Sequence, residues 1–428
     1  MTWNRRYQVK SYLRSALWII PLFALLLEQV VGELAQTLDT RLTWKGITLG
    51  VTGAQELLHA ITTLTLSFIV FTFGSLLVAI QVASGQYTPR IIATTLLRDN
   101  VIRYTVGLFV FTFLFGIRDL GGTETTVHEI VAFVAGLLGL ICIIAFLFLI
   151  DYAARMLRPV SLVQRVGQNG LAVMASVYPE QSAEAQCIAR PQQSSGPVGR
   201  TILHRGKSAF VVAANVQALV AEAEKAKGVI EFAPQIGDFV GSAEPLFLLH
   251  DGADAIDERK LRASVVLGDE RTMEQDPLFG FRILVDIAIK ALSKAINDPT
   301  TAVLAIDQLH RLLRSAGRRN LRTDQILDRA GKLRVIFRTP DWEDFVHLAF
   351  TEIRFYGAEN MQIARRLRAM IVNLTDTLPA QRHSALRKEL ELLDRTIEKL
   401  YVLPEDLKLA SIPDLQGLGG SSHSAELS

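Results

Sequence analysis

Four apolar runs, roughly 13–31, 57–83, 101–117 and 127–150, set the first limit on what this chain can fold into. A helix needs about 20 apolar residues to cross the hydrocarbon of a bilayer, and all four runs fall within that tolerance. Hydrocarbon offers backbone polar groups no partner, so each run reads as a helix that satisfies its own. The 50% hydrophobic content and mean hydropathy of +0.27 suit a membrane chain with a sizeable soluble part. The first run follows a basic N-terminus, yet it outlasts a signal-peptide core and lacks a small-x-small cleavage site. It reads as a retained anchor.

Cationic residues near the span ends give an orientation. Arg5, Arg6, Lys10 and Arg14 precede the first span, Arg90, Arg98 and Arg103 follow the second, and Arg155, Arg158 and Arg165 follow the fourth. The opposite loops carry Arg41, Lys45 and Arg118. Both termini are expected in the cytoplasm, with everything after about residue 155. A net charge of +2 excludes the strong basic bias of a nucleic-acid binder, so no nucleic-acid partner is expected. Cys142 and Cys187 belong to no metal or redox spacing and read as free thiols.

The second span is the most polar. At 100° per residue His59, Thr63, Ser67, Gly74 and Gln81 share one face, and Thr62, Thr65, Thr72, Ser75 and Ala79 share another. Small and hydroxyl residues suit close helix contact, which is the plainer reading. The sharper one is that one face meets the chain's own helices and the other a symmetry mate along a polar path. Glu28 and Asp151 lie near the ends of the expected spans, where an interfacial, structural role fits them.

After the second span, Gly85 and Gln86 belong to a turn. Thr88 and Pro89 read as an N-cap with proline in the first turn, opening a short amphipathic helix. Gly85, Gln86, Tyr87 and Arg90 form a candidate contact at the cytoplasmic mouth.

From Ser161 to Gly268 short β-branched runs such as LAVMASVYP, AFVVAANV and EPLFLLH alternate with turn residues. The stretch Gly228 to His250 has the strand and turn rhythm of barrel-sandwich folds, without the lysine of a cofactor carrier. Gln217 to Lys227 reads as a helix inserted between strands. From Pro277 the period becomes helical, with helices expected at 279–296, 299–315, 321–333, 340–375 (broken near Gly357) and 380–401. The Gly/Ser-rich residues from Ile412 read as a flexible tail.

The fold class is therefore an α-helical membrane domain of four spans followed by a cytoplasmic α+β region, a small β-rich, barrel-sandwich-like domain preceding a helical one. The expected boundaries are 1–155, 156–270, 271–403 and a tail, 404–428. Arg282, Asp286 and Lys290 form a polar ridge at i, i+4 steps on an otherwise apolar helix. In AINDPTTA, Asp298 before Pro299 reads as an N-cap, the grammar also read at Thr339-Pro340. Asn297, Thr300 and Thr301 exceed what a cap needs. Together with Arg282 they form a candidate anion or partner contact at a helix N-terminus.

The segments ASGQYTPR (Ala83 to Arg90) and DPLFGFRILVDIAIKALSKAINDPTTA (Asp276 to Ala302), with the four spans, resemble the bacterial predicted membrane proteins of domain of unknown function 2254. The resemblance implies a multi-pass inner-membrane protein with a large cytoplasmic portion, and it brings no reaction.

No phosphate loop, nucleophile elbow, H-E-x-x-H or C-x-x-C occurs, so no catalytic residue, metal or cofactor is assigned. Glu343 and His347 lie four apart with Asp344 nearby, but a solvated helical face is the commoner meaning. Asp251, Asp254 and Asp257 lack calcium-loop spacing. Arg311, Arg314, Arg318, Arg319 and Arg322, and Arg365, Arg366 and Arg368, form basic clusters that can meet anionic lipid, bind an acidic metabolite or nucleotide, or serve only as solvated faces. The functional expectation is an oligomeric pore- or transport-like protein in the lipid bilayer. A membrane-anchored sensor or scaffold is the alternative, and an enzyme of lipid or envelope metabolism ranks last.

Overall fold

The computed structural model describes residues 2–16, 18–41, 50–86, 99–120, 129–156, 158–178, 196–321 and 324–420. The described residues fall into two compact units, one within 11–85 and 89–162, the other within 1–10, 86–88 and 163–428.

In the first unit α1 (Trp3–Ser15) ends before α2 (Ile19–Arg41), followed by α3 (Val51–Gln86), α4 (Asn100–Leu120) and α5 (Glu129–Met156). Four of these, α2 to α5, are long and apolar enough to cross a membrane. The first span accordingly starts at Ile19 rather than residue 13, and residues 127 and 128 of the fourth lie outside the described residues. Small residues set the contacts. A Cβ on Gly107 would meet Ile20 Cγ2 at 2.6 Å, one on Gly116 would meet Thr62 Oγ1 at 2.7 Å, and one on Gly139 would meet Ile61 Cγ1 at 3.0 Å.

Those contacts fix the helix directions. Ile20 and Gln29 of α2 meet Gly107 and Arg118 of α4, so α2 and α4 run the same way. Phe68 of α3 lies 5.5 Å from Phe109 and stacks on Phe146 of α5 at 4.0 Å, while Thr62 meets Gly116 and Ile61 meets Gly139. Hence α3 and α5 run opposite to α2 and α4. Successive helices alternate, as successive crossings must.

The second unit begins with the first turns of α1, where Trp3 and Tyr7 pack against Val212, Ala213 and Val266. It continues with α6 (Pro159–Val177), β1 (Val198–Leu203), β2 (Ala209–Ala214), α7 (Val216–Ala226), β3 (Val229–Phe232), β4 (Phe239–Val240), β5 (Pro245–His250), α8 (Glu258–Ala263) and β6 (Val265–Gly268). Then come α9 (Pro277–Ala291), α10 (Pro299–Gly317), β7 (Gln325–Leu327), β8 (Leu333–Phe337), α11 (Trp342–Gly357), α12 (Met361–Thr377), α13 (His383–Leu400) and α14 (Pro404–Ala410). A five-stranded sheet has the order β1-β5-β3-β8-β7 and a three-stranded one β4-β2-β6.

Three segments depart from the expectation. Of LAVMASVYP, Leu171 to Val177 is helical, because α6 buries Val163, Val166, Gly167, Gly170 and Met174 at helical rather than alternate spacing, and Pro179 lies outside the described residues. Its glycines admit α10: a Cβ on Gly167 would sit 2.4 Å from Gln308 Oε1, and one on Gly170 3.0 Å from Leu312. Residues 324–333 form no helix, and 322 and 323 lie outside the described residues. The segment leads through β7 and a turn into β8, which pairs in parallel with β3 through Ile230 and Val335. The tail from Ile412 is ordered as far as Gly420, and 421–428 lie outside the described residues.

Helix caps explain most boundaries in this unit. Asp276 accepts from Phe279 N ahead of Pro277, and Asp298 accepts from Thr301 N ahead of Pro299. Thr339-Pro340 does not follow that grammar, because Asp341 caps α11 in a reciprocal capping box with Asp344. The expected long helix from 340 breaks between Gly357 and Asn360, where Asn360 caps α12. α9 is buried nearly all round, with Phe281, Ile283, Leu284 and Val285 fully covered.

Candidate functional site

On α3 the two polar faces separate. Thr65 and Thr72 are buried and donate to Ile61 O and Phe68 O of their own helix, as Thr62 does to Leu58 O. His59, Thr63, Ser67, Gly74 and Gln81 point away from the other described helices. A Cβ added at Gly74 would meet nothing within 4 Å. His59 and Gln81 are 22 residues apart, which is about 33 Å of helix against a hydrocarbon thickness of about 30 Å. Exposed Val70 and Leu77 fall within the same face, and Leu66 lies at its edge.

Of the mouth residues, Gly85 and Gln86 are not a turn but the last residues of the α3 helix, while Tyr87 and Arg90, with Thr88, Pro89 and the expected amphipathic helix, lie outside the described residues. A polar cluster that the sequence did not announce lies at the start of α4. Asp99 accepts from Val101 N at 2.9 Å and from Tyr152 Oη at 2.5 Å, and buried Arg103 donates to Leu13 O at 2.9 Å. The only sequence signal was Asp99-Asn100 before an apolar run, the form of an N-cap.

Glu28 is 2% exposed, and Arg118 Nη1 approaches it to 3.7 Å while donating to Gln29 O. α2 continues thirteen residues past it to Arg41, so Glu28 lies level with the end of α4 but midway along α2. Gly32 makes room for the pair, since a Cβ there would stand 2.9 Å from both charged groups. Asp151 pairs with Arg155 one turn on, and both are exposed.

Arg282 and Asp286 come together as expected and gain a third member. Arg282 Nε donates to Asp286 at 2.6 Å, and its Nη1 and Nη2 grip Glu352 of α11 at 2.5 and 2.9 Å. A fork on a carboxylate is the geometry guanidinium favours. It holds Glu352 below the ordinary carboxylate range. Burial instead pushes Glu389 of α13 up, against the pull of Arg354, whose Nε stands 3.6 Å from it. Glu343, His347 and Asp344 do not converge, and the described residues contain no group of three or more metal-ligating side chains.

The corner at 297–301 is separate from Arg282, which lies nine residues, roughly 13 Å of helix, before the end of α9. Asn297 adopts φ 46°, a left-handed conformation that asparagine tolerates better than most. Thr301 is buried and donates its hydroxyl to Asp298 Oδ2 at 2.5 Å. Geometry therefore accounts for Asn297, Asp298 and Thr301, while Thr300 is exposed.

The basic clusters find partners within the chain. Arg365 is 1% exposed and donates to Ile412 O and Gly419 O, each at 3.0 Å. Arg366 holds Asp307 and the carbonyls of Asp414 and Leu415, and Arg368 holds Asp394. Asp414, 1% exposed, accepts from the amides of Gln416, Gly417 and Gly419. Arg319 is buried on Tyr178 O, and Arg311 meets Gln308. Arg314 and Arg318 are exposed, and Arg322 lies outside the described residues, as does Cys187.

The chain is 25% identical over 425 residues to the uncharacterized protein Rv1290c of Mycobacterium tuberculosis (strain ATCC 25618 / H37Rv) and equally to the uncharacterized protein Mb1321c of Mycobacterium bovis. In each case the match covers 94% of this chain and 80% of the relative. No solved structure matches it. A family model described as "Predicted membrane protein (DUF2254)" matches residues 14–373, taking in all four apolar helices and the ridge and corner of the second unit, and the chain belongs to that family.

Proposed function

We propose that this protein works as an oligomer in the bacterial inner membrane, with α3 of neighbouring copies meeting along the His59–Gln81 stripe to form a pore- or transport-like path. One observation carries the reading: His59, Thr63, Ser67, Gly74 and Gln81 recur on the outward face of α3 over the thickness of a bilayer, although Ser67, like the inner threonines, donates to a carbonyl of its own helix. Lipid is a poor neighbour for His59, Thr63 and Gln81, whereas a second α3 offers close packing and hydrogen-bond partners, and Ser67, bonded to Thr63 O, adds a small residue to the contact. Val70 and Leu77 within that face, and Leu66 at its edge, supply the apolar contact.

Both termini belong in the cytoplasm in this reading. Trp3 and Tyr7 pack against strands that follow the fourth apolar helix, which supports an even number of crossings between them. The excess of arginine and lysine at that end gives the side. The β-rich part fits a barrel-sandwich-like structural module, its two sheets sharing a core around Ile230, Phe232 and Phe247.

A membrane-anchored sensor or scaffold is the second reading. It is favoured by the way the hydroxyls on α3's inner face bond back to their own helix, an arrangement that needs no path. Ion flux into proteoliposomes separates the two. The path predicts that Thr63→Leu/Ser67→Leu/Gln81→Leu loses at least about tenfold of the wild-type rate, about 1.4 kcal/mol in barrier. Equal flux in protein-free vesicles and in those carrying wild type or the triple variant would remove it.

A further inference from the structure

Six of the exposed apolar side chains of the second unit stand where helix ends meet, while others, such as Phe239 and Val198, lie on the strands. Phe355 and Tyr356 close α11 at 76% and 54% exposure, Val402 and Leu403 follow α13 at 90% and 61%, and Leu415 and Leu418 stand on the tail at 65% and 77%. Contacts tie these turns together. Tyr401 Oη donates to Ala358 O at 3.0 Å, and Gln362 Nε2 donates to Gly417 O at 2.6 Å. Arg366 donates to Leu415 O at 3.0 Å. The tail is held from beneath by Arg365, Arg366 and Asp414, so its two leucines are presented outward by a fixed loop.

We propose that this end of the helical region is a contact between two copies of the chain. The six side chains expose the equivalent of about four whole residues, on the order of 700 Å², near the roughly 800 Å² that each partner of a standard interface contributes. Scattered exposed apolar residues need no explanation, but a patch of that size does. The charges beside it choose the occupant. Glu359, Glu398 and Glu405 stand exposed with Lys399 and Lys408. That slight acidic excess opposes an anionic bilayer surface, while neighbouring charges of both signs can pair across a two-fold axis, where the same patch faces itself. Arg365, Arg366 and Gln362 thereby acquire a role: they hold the leucines in the shape a second copy reads.

This contact does not depend on the α3 stripe, and its test separates the two. The association of full-length wild type in nanodiscs is followed by dilution, with light scattering as the readout. Val402→Glu/Leu403→Glu should weaken dimerisation at least about tenfold with an unchanged unfolding temperature, and Phe355→Ser should weaken it by a comparable factor if the double variant folds poorly. The shift should persist in a background carrying the Thr63→Leu/Ser67→Leu/Gln81→Leu substitutions. Unchanged association in folded Val402→Glu/Leu403→Glu and Phe355→Ser chains would overturn the proposal. So would a monomeric wild type, including one in which a nitroxide on V402C is quenched by a lipid-soluble relaxation agent, which would assign the patch to lipid.

Discussion

Arg365→Met is expected to free the C-terminal tail and lower the unfolding temperature of the second unit by about 10 °C. Arg365 is 1% exposed, and its guanidinium bridges Ile412 O and Gly419 O across the eight-residue segment that closes over α12. Methionine fills similar space but donates nothing, so the half-buried Ile412 carbonyl and the more open Gly419 carbonyl lose their partner, at about 1–3 kcal/mol together. The backbone amides of Gln416, Gly417 and Gly419 surround the Asp414 carboxylate only in this conformation, and Gly417 and Gly419 adopt φ 71° and 77° to form it. Loss of the bridge should therefore undo the loop as a unit. Limited proteolysis after Ala410 should become rapid. Arg365→Lys should fall between, because one ammonium cannot reach both carbonyls as a planar fork does. Normal stability and a protected tail in Arg365→Met would show that the tail is held by something else.

Gly228→Ala should cost about 3 kcal/mol or more, because overpacking here meets backbone rather than a movable side chain. A Cβ at Gly228 would lie 2.3 Å from Ala253 N and 2.8 Å from its Cα. The glycine sits where α7 hands over to β3: Gly228 N donates to Ala223 O, and Arg334 donates to Gly228 O at 3.3 Å. Relief would have to separate the central strand of the larger sheet from the turn at Ala253. The preceding residue gives the control. Lys227 occupies the left-handed position that ends α7, at φ 56°, where glycine is the usual choice. Lys227→Gly should thus be neutral or stabilising by up to about 1 kcal/mol. Denaturant unfolding of both variants checks the pair, and a mild Gly228→Ala would mean that Ala253 can move.

How much of this was legible in the sequence depends on how far apart the deciding residues lie. The four apolar helices were, because length and hydropathy are local properties. Asp298-Pro299 was too, because a cap involves four consecutive residues. The helical character of α6 was not, since what selects it is the fit of Gly167 and Gly170 under Gln308 and Leu312, some 140 residues on. β8 was missed for the same reason: Leu333 to Phe337 becomes a strand by pairing with β3, a hundred residues earlier. The tail misled through composition, since its glycines serve an ordered loop around Asp414 rather than freedom. Asn297 looked like surplus polarity until its positive φ gave it a conformational reason.

Among the candidate sites, the pairing of Arg282 with Asp286 followed from i, i+4 spacing, but Glu352 on α11 is what completes the fork. Helix periodicity separated the two faces of α3. Which one turned inward needed the packing of Gly116 and Gly139 against it.

That outward face carries the central claim, and cross-linking in native membranes tests it most directly. In a chain with Cys142 and Cys187 replaced by serine, Thr63→Cys should form disulfide-linked dimers under mild oxidation. Cysteine at Ala54, which is fully buried on the same helix, should not. A Thr63→Cys chain that stays monomeric on oxidation, with its thiol reached only by a lipid-soluble reagent, would contradict the account and leave α3 facing the bilayer.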